Sequence, residues 1–169
     1  MLVRMAFLLL AFNLLLIPEA LADDYGIDVQ LGKDKTGAVG VWEREARFFL
    51  SNVPPKATFE WELHPKKNTV IAMPASGGAL CYEVENGAPR VRFRSRNVDL
   101  PTMRWDVVGK LETYTVQAAN GDFAGWYLDF EEKPEELGVV DGKARLGHRL
   151  ILVKEPKEPR KFNIYQVSK

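Results

Sequence analysis

One stretch of this chain occurs three times in altered form, and no other feature narrows the possible folds as much. Each copy opens on an arginine at the head of a strand-like run, passes through a proline-bearing loop, and ends on an aromatic residue followed two positions later by an aliphatic one. The first copy runs from Arg47 through Pro54 and Pro55 to Trp61 and Leu63. The second runs from Arg90 through Pro101 to Trp105 and Val107, the third from Arg149 through Pro156 and Pro159 to Phe162 and Ile164. The arginine-to-aromatic spacing is 14, 15 and 13 residues (61 − 47, 105 − 90, 162 − 149), so the unit is kept while its loop changes length.

Between these copies the chain shows little helical periodicity and much short alternation of apolar and polar residues punctuated by turn residues, as in Ile27–Leu31 and Val39–Glu43. Three units of about four strands each therefore make about twelve strands, divided roughly as residues 23–66, 67–110 and 111–169. Three propeller blades would fall short of the usual four to eight. A Greek-key sandwich would have to produce the same agreement of strand, loop and aromatic by composition alone. The reading is all-β, a single β-trefoil domain over residues 23–169, in which a six-stranded barrel is capped by three hairpins. Trp61, Trp105 and Phe162 then form one core layer with Leu63, Val107 and Ile164 beneath it. Helix is expected nowhere except one short turn at 133–137, and the longest loop is expected from Glu131 to Gly147.

The N-terminus reads as a signal peptide over residues 1–22. Arg4 precedes an apolar run from Met5 to Ile17, Pro18 breaks it, and Ala20-Leu21-Ala22 offers small residues for cleavage. That run is shorter than the roughly 20 residues a membrane span needs, so the mature protein is expected to start near Asp23, to be secreted, and to have no membrane contact after cleavage. Lys plus Arg and Asp plus Glu are equal at 23 each, and residues 1–22 carry one of each sign, which argues against a nucleic-acid partner. Arg90, Arg92, Arg94 and Arg96 alternate along one strand face and read as a solvated row. The single cysteine, Cys81, reads as core packing, leaving the domain to stand on its core without an intramolecular disulfide.

Nothing in the sequence assembles a catalytic constellation. His64 and His148 are the only histidines, and neither lies in a nucleophile or metal signature. His64 falls in a loop and His148 at a strand edge. Asp129, Glu131, Glu132, Glu135 and Glu136 read as a solvated acidic loop, and no glycine-rich phosphate loop is present. The expectation is a binding protein rather than an enzyme, monomeric, with no cofactor and no metal.

Two families of trefoil bear on what is bound. The ricin-type lectins carry Gln-x-Trp in their repeats, whereas this chain has Phe59-Glu60-Trp61, Met103-Arg104-Trp105 and Arg160-Lys161-Phe162, without glutamine. Sugar binding in this chain would instead draw on Trp42, Tyr82, Trp126 or Tyr127, rings able to stack on a pyranose where exposed, although barrel and cap packing is the favoured reading of each. The Trp-x-aliphatic strand followed by Thr113-Tyr114-Thr115-Val116 and then Gly125-Trp126-Tyr127-Leu128 with Phe130 resembles the fungal β-trefoil serine-protease inhibitors. More distantly it resembles the mycocypins and the plant Kunitz inhibitors. The resemblance implies a protease as partner, blocked by a rigid surface loop.

A trypsin-like specificity pocket takes Lys or Arg, and Lys35, Arg44, Lys143, Arg145 and Lys157 are the candidates. Lys157 leads because Pro156 and Pro159 stiffen its loop, although the acidic Glu158 follows it; Arg44, in a short connection, is second. A carbohydrate-binding trefoil and a secreted effector that binds another protein are the alternatives.

Overall fold

The computed structural model describes residues 24–30, 36–42, 45–49, 60–63, 65–73 and 77–166. Residues 1–22, Lys35, Arg44 and His64 lie outside them, and with them the expected signal peptide and two of the five reactive-loop candidates. The strands in the first half are β1 (Asp24–Gln30), β2 (Thr36–Trp42), β3 (Glu45–Phe49), β4 (Trp61–Glu62), β5 (Thr69–Val70), β6 (Ala72–Met73) and β7 (Gly78–Glu85). The second half supplies β8 (Ala88–Ser95), β9 (Arg104–Lys110), β10 (Thr113–Ala118), β11 (Tyr127–Phe130), β12 (Glu135–Val140), β13 (Lys143–Val153) and β14 (Phe162–Gln166). The described residues hold no α-helix, and one 3-10 turn, Pro101–Met103, leads into β9.

Pairing closes these strands into a β-trefoil. β4 pairs with β1, β1 with β14, β14 with β10, β10 with β9 and β9 with β5. The chain then continues from β5 through Ile71 into β6, which pairs back onto β4 and completes a six-membered barrel without a free edge. The hairpin β2–β3, the hairpin β7–β8 and the pair β11–β13 form the cap, where β13 lies against both β3 and β8.

Among the described residues fourteen strands form rather than the expected twelve, for two physical reasons. One barrel strand is split at Ile71, whose carbonyl turns to accept the N–H of Leu80 at 2.8 Å. The other addition is β12, which pairs with the first half of β13 and turns the expected loop from Glu131 to Gly147 into a hairpin. Asp141 (φ 52°) and Gly142 (φ 72°) supply the two-residue turn whose twist matches the flanking strands. Glu135, Glu136 and Leu137 lie in β12, so the short helical turn expected at 133–137 does not form.

The aromatic layer is where the repeats meet. Trp61, Trp105 and Phe162 are each fully buried, and Leu63, Val107 and Ile164 are buried with them. The Trp61 indole N–H donates to the Val39 carbonyl at 2.8 Å and that of Trp105 to the Leu80 carbonyl at 2.9 Å. Each bond reaches back to the preceding hairpin strand, so the layer locks cap to barrel as well as filling the core. Phe162 fills the third position without a donor. Truncating such an aromatic to Ala typically costs about 3–5 kcal/mol.

A second, smaller cluster packs Ala72, Ala79, Cys81 and Met103, with Val70 and Leu100 half-buried against it. Cys81 is buried there as expected, and burial pushes its thiol up to about 12, with the Glu83 carboxylate adding to the shift.

Candidate functional site

The loop between β13 and β14, residues 154–161, is the element the sequence singled out first. Lys157 and Glu158 are exposed at its centre, while Pro156 and Pro159 are half-buried at either side. Glu155 turns the chain out of β13 with φ at 47°. The return arm is fixed by Arg160, whose Nε donates to Asp129 Oδ1 at 2.8 Å and whose guanidinium lies 4.5 Å from the centre of the Phe130 ring. Asp129 Oδ1 also accepts the Phe130 N–H at 2.8 Å, so the carboxylate is itself held before it holds the loop. Proline limits the freedom of the arms, and the Arg160 contacts tie them to β11.

The remaining basic candidates are not equivalent. Lys143 is exposed at the start of β13, directly after the Asp141-Gly142 turn. Arg145, expected in a loop, instead lies inside β13 and is only 9% exposed, because the added strand β12 covers this part of β13. It cannot serve as a reactive-loop residue.

Two of the four expected stacking aromatics are likewise withdrawn. Trp42 is buried in β2 and Tyr82 in β7; Tyr82 belongs to the main core cluster, whereas Trp42 stands on the opposite face of its strand from the core residue Val41. The Tyr82 hydroxyl donates to the Asn120 carbonyl at 2.7 Å. A Cβ added to Gly121 would stand 2.2 Å from that hydroxyl, so the turn needs glycine for space as well as for its φ of 81°. Trp126 and Tyr127 remain half-buried, Trp126 edge-on to Phe123 at 4.8 Å and Phe123 edge-on to Tyr82 at 5.6 Å.

The arginine row is not merely solvated. Arg47 faces Arg149 across β3 and β13, and Ile151 of β13 faces Arg90 of β8. Residues two apart share a face, so the three arginines that open the repeats stand together on the outer side of the cap. Glu135 pairs with both Arg47 and Arg149, and Glu131 with Arg90 at 3.5 Å. Arg92 bridges Glu45 at 3.0 Å and Glu85 at 2.8 Å, Arg94 meets Glu83 at 2.6 Å, and Arg96 meets Glu62 at 2.6 Å. The Arg94 guanidinium holds the Glu83 carboxyl below its ordinary range. Much of the acidic stretch expected as a free loop is therefore the counter-charge of the arginines. His148, expected at a strand edge, is buried within β13 between Phe48 and Phe130, with Nδ1 2.7 Å from the Glu131 carbonyl oxygen.

Two further features had no signal in the sequence reading. The β9–β10 turn places Leu111 and Glu112 at φ 53° and 64°, a conformation that favours Gly or Asn, and leaves Leu111 87% exposed. The Glu112 carbonyl accepts the Ile164 N–H at 2.9 Å, which anchors the turn to β14. Beside the break at Ile71 there is also a cleft of about 420 Å³, walled by the 65–68 turn and the approach to β9. Val70, Ala72, Ala79 and Met103 line it, as do Lys66 and the ion pairs Arg96–Glu62 and Arg104–Asp99.

No protein-family model and no curated protein sequence matches this chain. Solved structures do. A Caenorhabditis elegans protein of unknown function aligns with a TM-score of 0.60 at 8% identity, over 86% of this chain and 94% of the other. Chicken interleukin 1 beta aligns with a TM-score of 0.54 at 10% identity, over 85% and 95% respectively. Cry35Ab1 aligns with a TM-score of 0.52 at 15% identity, over 87% of this chain but 36% of its own. At these identities the likeness is one of fold, and it agrees with the trefoil pairing described above.

Proposed function

We propose that this chain is a loop-mediated binding protein that blocks a trypsin-like serine protease, with Lys157 entering the specificity pocket. One observation carries the reading: Lys157 is exposed at the centre of a loop whose return arm is tied to the barrel through Arg160. A loop already ordered before binding loses little freedom on association, so an interface of ordinary size can bind tightly. A β-trefoil with a cytokine among its structural neighbours is compatible with binding through loops. The proposal is of a stoichiometric, monomeric ligand of the protease, exported after loss of residues 1–22, and not of a catalyst.

Glycan binding is the second reading, and it now draws on Trp126 and Tyr127 alone, since Trp42 and Tyr82 are buried. The test is a titration of trypsin, chymotrypsin, subtilisin and papain with the protein, run beside a glycan array. Stoichiometric inhibition of trypsin supports the proposal. Inhibition of chymotrypsin alone would move the contact to the exposed Leu111, which suits a hydrophobic slot. Failure to inhibit any of the four, with glycan binding lost in Trp126→Ala, would replace the inhibitor reading by the glycan one.

A further inference from the structure

We propose that Asn86 is a site of spontaneous covalent modification, at which the side-chain amide is lost as ammonia through a succinimide ring closed by the Gly87 nitrogen. The chain has two Asn-Gly pairs, Asn86-Gly87 and Asn120-Gly121, and the fold treats them oppositely.

Asn86 and Gly87 are the two-residue turn between β7 and β8, closed by the Glu85–Ala88 pair, with φ at 52° and 77°. Both are exposed, and a Cβ added to Gly87 would meet nothing within 4 Å. Among the described residues, neither the Asn86 side chain nor the Gly87 N–H has a hydrogen-bond partner. The carboxamide is therefore free to swing onto the following nitrogen once the tip frays, and an exposed hairpin tip frays at little cost.

Asn120 is held at both ends. Its carbonyl accepts the Tyr82 hydroxyl at 2.7 Å, and its Nδ2 donates to Asn68 Oδ1 at 3.2 Å. Gly121 lies against the same hydroxyl, and its carbonyl accepts the Ala124 N–H at 3.1 Å. Ring closure at Asn120 must break both Asn120 bonds and lift the turn away from Tyr82.

The chemistry at Asn86 needs only base and water. Base removes the Gly87 N–H proton, and the nitrogen attacks Asn86 Cγ. A bond from that nitrogen to Cγ forms, the bond from Cγ to Nδ2 breaks, and Nδ2 leaves as ammonia with a proton from solvent. Water then opens the ring at Cγ to give aspartate, or at the main-chain carbonyl to give isoaspartate, whose backbone is one methylene longer.

The two products differ in what they do to the hairpin. Asp141-Gly142 occupies the same kind of turn at φ 52° and 72°, so an aspartate keeps the turn. Isoaspartate lengthens a turn whose register admits two residues, and the Glu85–Ala88 closure gives way. Either product sets a new carboxylate next to Glu85, which already binds Arg92 at 2.8 Å, and moves the chain from zero formal net charge to the acidic side.

The test incubates the protein at mildly alkaline pH, separates acidic forms by anion exchange and locates the amide-to-acid change by peptide mapping with mass spectrometry. Asn86 is expected to convert at least about tenfold faster than Asn120 in the native protein, giving both aspartate and isoaspartate. In denaturant the two sites should convert at similar rates, because the protection of Asn120 belongs to the fold. Asn86→Gln should remove the acidic form, since its longer side chain closes the ring poorly. No conversion at Asn86, native conversion of Asn120 as fast as that of Asn86, a preference for Asn86 that persists in denaturant, or an undiminished acidic form in Asn86→Gln would each overturn the proposal.

Discussion

Replacing Arg160 by Ala removes the clamp on the 154–161 loop without touching Lys157. Two contacts are lost, the 2.8 Å bond to Asp129 and the guanidinium stacked 4.5 Å over Phe130. A hydrogen bond to a charged group is worth about 1.5–3 kcal/mol when buried. Here the side chains are 31% and 17% exposed, which brings the figure to about 1 kcal/mol by solvent screening. The cation–π contact adds about 0.5–1 kcal/mol. Asp129 keeps the Phe130 N–H and partial access to water, so no unpaired buried charge is left behind.

The expected loss is thus about 1.5–2 kcal/mol, most of it expressed as loop disorder. Trypsin affinity should fall about tenfold to thirtyfold, while the rest of the fold, read by near-ultraviolet circular dichroism, stays as it was. Cleavage of the loop by a protease that is not inhibited should accelerate in the same variant, because the open loop is more populated. Unchanged affinity and unchanged loop cleavage would show that the loop's order does not depend on Arg160. Collapse of the whole fold would show that Arg160 belongs to the core.

The Leu111→Asn, Glu112→Gly double variant places favoured residues where both φ angles are positive, and should raise stability by about 1–2 kcal/mol in urea titration. No gain would mean that the turn is not strained. Asp28 is raised above its ordinary 3.8 by burial, so its folded form favours the proton and stability falls as pH rises from about 3.8 through the folded value. Asp28→Asn should therefore be more stable than wild type at neutral pH, with the difference closing towards pH 3; a constant difference across that range would contradict the assignment. The Cys81 thiol, pushed up from 9.0 to about 12, binds its proton more tightly in the folded state, so stability should decline as pH rises above 9. Alkylation with iodoacetamide should be slow in the native protein and fast in denaturant, and rapid native labelling would refute the burial.

The trefoil could be read from the chain because its determinant is local and repeated. Trp61, Trp105 and Phe162 recur at similar distances from Arg47, Arg90 and Arg149, and each lands in the core as that spacing requires. What eluded the sequence depends on which face of a strand turns inward and on which strand lies alongside. Alternation alone does not tell whether Trp42 and Tyr82 are exposed or buried, and both are buried, Tyr82 in the main core cluster and Trp42 outside it. Arg145 reads as a loop residue until β12 is recognised, and the sign of β12 is the Asp141-Gly142 turn within a stretch otherwise taken as acidic and polar.

The same holds for the surface. The arginine row is visible in sequence, but its glutamate partners come from β3, β4 and β7 and from the segment around β12, so its neutralisation is a property of the folded cap. The cleft requires the interruption at Ile71, the 65–68 turn and the approach to β9 to meet, and no single segment announces it. Lys157 stands between these extremes. Its proline-flanked loop is evident from sequence, while the Arg160 clamp that orders it needs β11 to arrive beside the loop.

The most direct measurement of the central claim is titration of active-site-quantified trypsin with the wild-type protein and with Lys157→Ala. Wild type should reach full inhibition at one equivalent, and Lys157→Ala should lose several kcal/mol of binding, as removal of a central anchor does. Equal inhibition by the two proteins would place the contact elsewhere on the surface. Steady hydrolysis after Lys157 with no loss of trypsin activity would make the loop a substrate and end the inhibitor account.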